Sequence, residues 1–429
     1  MSATLIEQHP LYDTLPVGQD VIFTVSNTSV VSSYTNVKFI AEVHISSGNP
    51  PITATSTDVV GTFKTTPNNA GVGMFDFRPI IESFVNADNL ARKDSAYKLT
   101  VNTEGTNVPI HLIDKFSGNL NSMRYLFIRF KIQYIDSGAL VTTGIKDSDL
   151  YNIFNGYLKY TDVLDLANTP FTQNTGNNFG YPIPQKFTLD EDDGEFLSNA
   201  PTTQYANIED YGTIALLSPN NDLDYIKLIY KDSANVQIGQ NHITKNLLNG
   251  AYNSYNGYIG MNLLFFGCFP ANLQNWSITF NALVSAGTIE GGSIVVQAFS
   301  TTQAISKEYI INVNCPTLKG YEPKRLCWLN QWGAWDYYTF TMKSSKMIST
   351  KGSTYQQLEG SWNESTYKIN GFKGGKKAFR VNATEKITMN TDFVNESESE
   401  WFEELINSPE VYILEGFQSD LNYTGTLTI

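Results

Sequence analysis

The densest run of carboxylates in the chain is Asp190-Glu-Asp-Asp-Gly-Glu195. Hard cations such as Ca2+ take several oxygen ligands from a flexible loop, which makes Asp190, Asp192 and Asp193 the candidate metal ligands. The EF-hand pattern places Gly at its sixth position, where this chain has Glu195, so the leading expectation is a solvated acidic loop. Asp336 lies among tryptophans and is the carboxylate best placed for acid–base work on a sugar. The competing expectation gives Asp336 a structural task, accepting hydrogen bonds from backbone donors beside a turn. His9, His44, His111 and His242 fall in no metal or hydrolase motif, and no G-x-S-x-G elbow occurs. Cys268, Cys315 and Cys327 lack zinc-ligand spacing and are expected as buried free thiols. The glycines at Gly71 and Gly73, and at Gly374 and Gly375, match neither a dinucleotide fingerprint nor a Walker loop. No catalytic residue and no cofactor are expected.

The remaining concentration of chemistry is aromatic. Trp328-Leu-Asn-Gln-Trp-Gly-Ala-Trp-Asp-Tyr-Tyr-Thr-Phe340 holds three of the six tryptophans. Rings bury more area per residue than other side chains and are enriched in cores and interfaces. Trp328, Trp332, Trp335, Tyr337 and Phe340 are therefore candidates for a domain core or a subunit interface, with a sugar-stacking platform as the alternative. Gly333 suggests a turn that enters a strand beginning near Asp336.

The elements that would position these residues read as strands. Phe23 and Val25, then Val37, Phe39, Ala41, Val43 and Ile45, then Leu126, Ile128, Phe130, Ile132 and Tyr134 alternate with more polar neighbours. That is the period of half-buried strands. Further strands are expected at 213–217, 225–230, 276–283, 293–300, 309–313, 335–342, 378–383 and 411–414. A short helix is expected at 79–85, with Pro79 in its first turn. A second is expected after Asn395, where Glu398 completes a capping pair, with Trp401, Phe402 and Leu405 inward and Glu403 and Glu404 outward. Asn, Thr, Gly and Pro accumulate over 136–204, which reads as long loops. The expected class is mainly β: tandem β-sandwich domains of the immunoglobulin-like kind at 1–140 and 141–316, then a Trp-rich C-terminal α+β module at 317–429.

Bulk numbers narrow the partners. Charged residues make up 17% of the chain and the net charge is −13. The basic cluster Lys373-Gly-Gly-Lys-Lys377 with Arg380 is expected as a solvated turn, so nucleic acid is not an expected partner. The apolar stretch 258–270 is shorter than the roughly 20 residues a spanning helix needs, so no membrane span is expected. The N-terminus has no signal-peptide pattern. A chain made without export, yet polar, low in charged residues and strand-rich, suits a particle subunit better than an ordinary cytosolic enzyme.

Several blocks are familiar as sequence: Val37-Lys-Phe-Ile-Ala-Glu-Val43, Gly61-Thr-Phe-Lys-Thr-Thr-Pro-Asn68, Gly71-Val-Gly-Met-Phe-Asp-Phe77, Phe196-Leu-Ser-Asn-Ala-Pro-Thr-Thr203 with Asp210-Tyr-Gly-Thr213, and Gly267-Cys-Phe-Pro-Ala-Asn272. The most specific are Lys324 through Phe340, and Asn390-Thr-Asp392 ahead of Ser408-Pro-Glu-Val-Tyr412. Together they resemble structural proteins of tailed phages, those of marine and Bacteroidetes-type viruses in particular. The resemblance implies a non-enzymatic virion subunit of the tail, baseplate or neck. It implies assembly as a symmetric homo-oligomer and docking onto other virion proteins. A glycan-binding or glycan-cleaving receptor-recognition component, contacting host surface glycan, is the alternative.

Overall fold

The computed structural model describes residues 4–10, 14–46, 59–91, 109–119, 121–159, 185–187, 189, 192–218, 222–246, 262–314, 320–357, 360, 365–369, 375–414 and 427–428. It is mainly β, in several separate sheets, as the alternating patterns require. Two compact units are present: 1–316 with 325–339 and 395–429, and 317–324 with 340–394.

In the larger unit a first pair of sheets is built from the N-terminal strands. Leu5–Gln8, Ile22–Ser26 and Val72–Asp76 form a three-stranded sheet. Thr14–Pro16, Tyr151–Phe154, Met123–Asp136, Thr35–Ser46 and Val59–Thr65 lie side by side in a six-stranded sheet, with Ala139–Asp147 also on Met123–Asp136. The inward positions are those of the period-2 pattern. Phe23 of the small sheet meets Phe130 of the large one at 5.7 Å, and Phe75 does the same at 5.7 Å. Both sheets thus close over one core. Each fully buried Phe or Ile there contributes about 1.5–3 kcal/mol of transfer free energy. The pairing of Thr14–Pro16 with Tyr151–Phe154 is parallel, a departure from the all-antiparallel sheets of an immunoglobulin sandwich.

A second core lies between a five-stranded sheet and a three-stranded one. The first runs in the order Thr203–Ala206, Tyr309–Val313, Ser293–Phe299, Tyr225–Lys231, His242–Lys245; the second runs Thr213–Ser218, Asn262–Gly267, Phe116–Gly118. A further sheet contributes Trp335–Phe340, Lys324–Leu329 and Val411–Leu414. Its residues Cys327, Leu329, Trp332, Trp335 and Tyr337 belong to the same second core.

This division differs from the expected cuts at 140 and 316. Phe116–Gly118 pairs with Asn262–Gly267, and Tyr151–Phe154 returns to the first sandwich. Residues 325–339 and 395–429 do not stand apart as a third module; they complete the larger unit. Strand pairing is set by which edges remain open in space, so sequence adjacency misplaces these boundaries.

Three local expectations change as well. Residues 276–283 form the helix Ile278–Ser285 in place of a strand. Ser277 caps it by accepting from the Phe280 N–H at 3.1 Å. Trp276, Phe280, Leu283 and Val284, spaced i, i+4, i+7 and i+8, form the face that meets the core. The expected long loop after Asp136 contains instead a tight hairpin. Ser137 and Gly138 both take positive φ, 50° and 83°, as a two-residue turn of the type I′ class requires. His44, one of the more polar neighbours that the alternation over 37–45 predicts on the outward face, is instead buried against the Phe127 ring. The short helix at Arg78–Ile81 continues as a 3-10 turn through Phe84. The helix Glu396–Asn407 carries the full capping box between Asn395 and Glu398.

Candidate functional site

Trp328 ends up on the strand Lys324–Leu329, Trp332 in the turn that follows, and Trp335 at the start of the next strand. Asn330 shapes the turn: its Oδ1 accepts from the N–H groups of Trp332 and Ala334, both at 3.0 Å. Gly333 is obligatory at its tip. Its φ is +74°, and a Cβ there would sit 1.9 Å from the Asn155 carbonyl oxygen. The turn aims the three rings at different partners. Trp328 meets Trp401 at 4.9 Å, Trp332 meets Phe187 at 4.8 Å, and Trp335 meets His111 at 5.2 Å and Tyr412 at 5.6 Å. Trp328, Trp332, Trp335 and Tyr337 are all under 5% exposed, and Phe340 is half-buried. The first four fill the chain's own core. They offer neither a stacking platform for a sugar nor a surface for a second subunit.

Around them lies a buried polar network. The Tyr337 hydroxyl bonds to His111 Nδ1 at 2.7 Å and to Thr213 Oγ1 at 3.0 Å. Arg325 donates to the Tyr211 carbonyl at 2.6 Å and to Thr339 Oγ1 at 2.7 Å, and its Nη1 lies 3.3 Å from Asp210 Oδ2. Its guanidinium also covers the Phe269 and Tyr337 rings, at 4.7 and 5.3 Å. Asn272 ties the same region together, accepting from the Gly212 N–H and donating to the carbonyls of His111 and Ile113.

Asp336 is buried, and its bonding partners are side chains where backbone donors were expected. Oδ1 accepts from Asn330 Nδ2 at 3.1 Å, and Oδ2 accepts from Trp401 Nε1 at 2.7 Å. Glu404, expected to face solvent, is 1% exposed. It accepts from Asn199 Nδ2 at 2.5 Å and lies 3.8 Å from Lys159 Nζ. The helical period carries the missed signal: Glu404 is three residues after Trp401 and so shares its face. Burial, followed by the nearby Glu404 carboxylate, pushes the Asp336 pKa up to about 7. Burial, followed by Arg325, lowers that of His111 to about 3, so this imidazole is neutral.

These opposite shifts predict opposite pH dependences. The fold holds a proton on Asp336 that the unfolded chain releases; that stabilisation is complete below 3.8 and is lost as pH rises toward about 7. The neutral His111 stabilises fully above 6.5, and that contribution is lost as pH falls toward about 3. Each slope is on the order of 1.4 kcal/mol per pH unit at its steepest. Relative to wild type, Asp336→Asn should therefore gain stability as pH rises through this window, and His111→Asn should lose it. Urea denaturation at steps of pH checks both; curves parallel to wild type would show that neither group titrates abnormally.

The chemistry open to this network is limited by access. A cavity beside Asp336, Tyr337, Thr213 and Phe269 has a volume of about 20 Å³. That holds about one water, whereas ligand pockets run to roughly 300–1,000 Å³. Burial raises the thiols of Cys268 and Cys327, the latter to about 12, which keeps both protonated and unreactive. Cys315 lies outside the described residues.

The other candidate sites fare as follows. Asp190 lies outside the described residues, while Asp192 and Asp193 are exposed. Glu195 is engaged by Lys307 at 2.6 Å and Lys186 at 3.2 Å. No group of three or more potential metal-ligating side chains occurs among the described residues. No helix among the described residues is long and apolar enough to cross a membrane. Lys376, Lys377 and Arg380, expected in a turn, lie on a strand; Lys373 is outside the described residues.

That strand belongs to the smaller unit, where Lys376–Thr388 pairs antiparallel with Ser345–Gln356. All twelve residues of Ser345–Gln356 are exposed, as are all of Lys376–Thr388 except Ile387. The register separates two faces. Lys346↔Ile387, Ile348↔Glu385, Thr350↔Ala383 and Gly352↔Val381 share one; Met347↔Lys386, Lys351↔Asn382 and Ser353↔Arg380 share the other. The apolar side chains Ile348, Val381, Ala383 and Ile387 thus share one face with the Lys346–Glu385 pair, while Lys351, Arg380 and Lys386 share the other with Met347. The sequence pattern predicts a strand here only over 378–383, because the partner Ser345–Gln356 has no sustained apolar alternation.

No protein-family model matches the chain, and no curated protein matches it.

Proposed function

We propose that this chain is a non-enzymatic structural subunit of a tailed-phage particle, in its tail, baseplate or neck, with immunoglobulin-like β modules forming its body. The observation that carries this reading is the hairpin Ser345–Gln356/Lys376–Thr388, exposed on both faces. Two strands alone are marginally stable in water, so such a hairpin suits a chain whose working state is an assembly. The buried network supports the same reading. Its ionisable groups are hydrogen-bonded inside the core with room for about one water, which fits a role in holding strands together. The resemblance of Lys324–Phe340 to virion structural proteins concerns residues that complete this core. Sandwich bodies with closed-symmetry contacts then account for a homo-oligomer that also docks onto other virion proteins.

Quantitative mass spectrometry of purified particles tests the proposal. The chain should copurify with them at a fixed, symmetry-compatible stoichiometry. Its presence in lysate but absence from particles would overturn the reading.

A further inference from the structure

The smaller unit and the larger one differ sharply in charge. Residues 317–324 and 340–394 contain eleven Lys/Arg against five Asp/Glu, while the rest of the chain contains eighteen against thirty-seven. A basic hairpin and an acidic body are thus joined in one polypeptide whose net charge is −13. The hairpin also has an uncovered apolar face. Ile348 is 60% exposed and Val381 59%, and they share that face with Ala383 and Ile387. Phe379, at the irregularity opposite Ser353 and Thr354, is 78% exposed. The Lys346–Glu385 pair at 2.5 Å sits at one end of the same face. Each strand in addition has one edge without a pairing strand among the described residues, which is a template for another chain.

We propose that the hairpin 345–388 is an assembly arm that docks on the acidic body of a second copy of this chain. This deepens the structural-subunit reading and rests on it. Charge selects the occupant. Two hairpins packed face to face would bring two basic segments together, and like charges across an interface oppose association. A hairpin drawn to an acidic body by opposite charge lays its apolar face on that body while its basic face stays toward solvent. The contact is heterologous: the surface that gives differs from the surface that receives. Repetition of such a contact builds a ring or an open stack. The basic face, with Lys351, Arg380 and Lys386, steers the encounter, and the apolar face holds the complex.

Sedimentation velocity on the full chain tests this, with two exposed-site variants. Ile348→Glu/Val381→Glu removes the apolar contact. Lys351→Glu/Arg380→Glu/Lys386→Glu removes the steering charge. All five positions are exposed, so melting of the larger unit should be unchanged, and circular dichroism checks this. Wild type should form oligomers at high micromolar concentration. The apolar variant should be monomeric, and the charge variant should associate at least about tenfold more weakly at low salt, with the difference shrinking at high salt. Oligomers unchanged in both variants would overturn the arm while leaving the structural-subunit reading to the particle stoichiometry. A wild-type chain that stays monomeric and is absent from particles overturns both. Monomeric wild type that instead binds duplex DNA, with binding lost in the charge variant, would replace the second copy by nucleic acid and overturn the proposal.

Discussion

Trp335→Ala should destabilise the larger unit by about 3–5 kcal/mol, the usual cost of emptying a buried Trp site. The ring is 2% exposed and wedged between His111 and Tyr412. Its Nε1–H donates to the Asp88 carbonyl at 2.8 Å, a bond worth about 1 kcal/mol more. Domains typically have about 5–15 kcal/mol of stability, so the variant should express poorly or melt far below wild type. Trp335→Phe keeps most of the ring and loses the donor, and it should cost about half as much or less. Urea denaturation of the full chain measures both. A Trp335→Ala variant that folds with wild-type stability yet fails to assemble would reinstate Trp335 as an interface residue.

Asp210→Ala should cost about 3–5 kcal/mol, because it takes the carboxylate at 3.3 Å from a buried guanidinium. Asp210 Oδ2 also accepts from Thr339 Oγ1 and from the Asn207 N–H, each at 2.7 Å, so the strand carrying Thr339 loosens with it. Asp210→Ala/Arg325→Met should recover part of this loss. Met can cover the Phe269 and Tyr337 rings without bringing a charge into the core. A double-mutant cycle reads the coupling directly. If the double variant is as unstable as the two single losses added together, the pair is not the organising interaction described above.

Both predictions concern residues whose importance was only partly legible. Trp335 stood out at once as part of an aromatic run. Its role was ambiguous, since cores, interfaces and sugar platforms all favour such rings. Asp210 and Arg325 lie in blocks that stand out in the sequence, but nothing local pairs them, since they are 115 residues apart. His111 and Thr213 lie 226 and 124 residues from Tyr337, so only the tertiary pairing joins them. Glu404 was legible in principle from the helical period, and so was the hairpin turn at Ser137-Gly138. The helix at Ile278–Ser285 was hidden because Trp276, Ile278 and Phe280 also fit a strand period, whereas the cap at Ser277 and the i, i+4, i+7 face favour a helix.

What the sequence determined by itself was local. The alternation at 37–45 and 126–134 specified strands, and the Asn395/Glu398 pair specified a capped helix. These properties depend on neighbours within a few residues, where steric and hydrogen-bonding preferences act directly. Only the tertiary structure decided which strands pair, that residues 325–339 complete an earlier core, that Asp336 and Glu404 are buried, and that Ser345–Gln356 and Lys376–Thr388 stand exposed on both faces. Each of these depends on which surfaces remain open once the other elements have packed, a property of the whole arrangement that no short window of sequence contains.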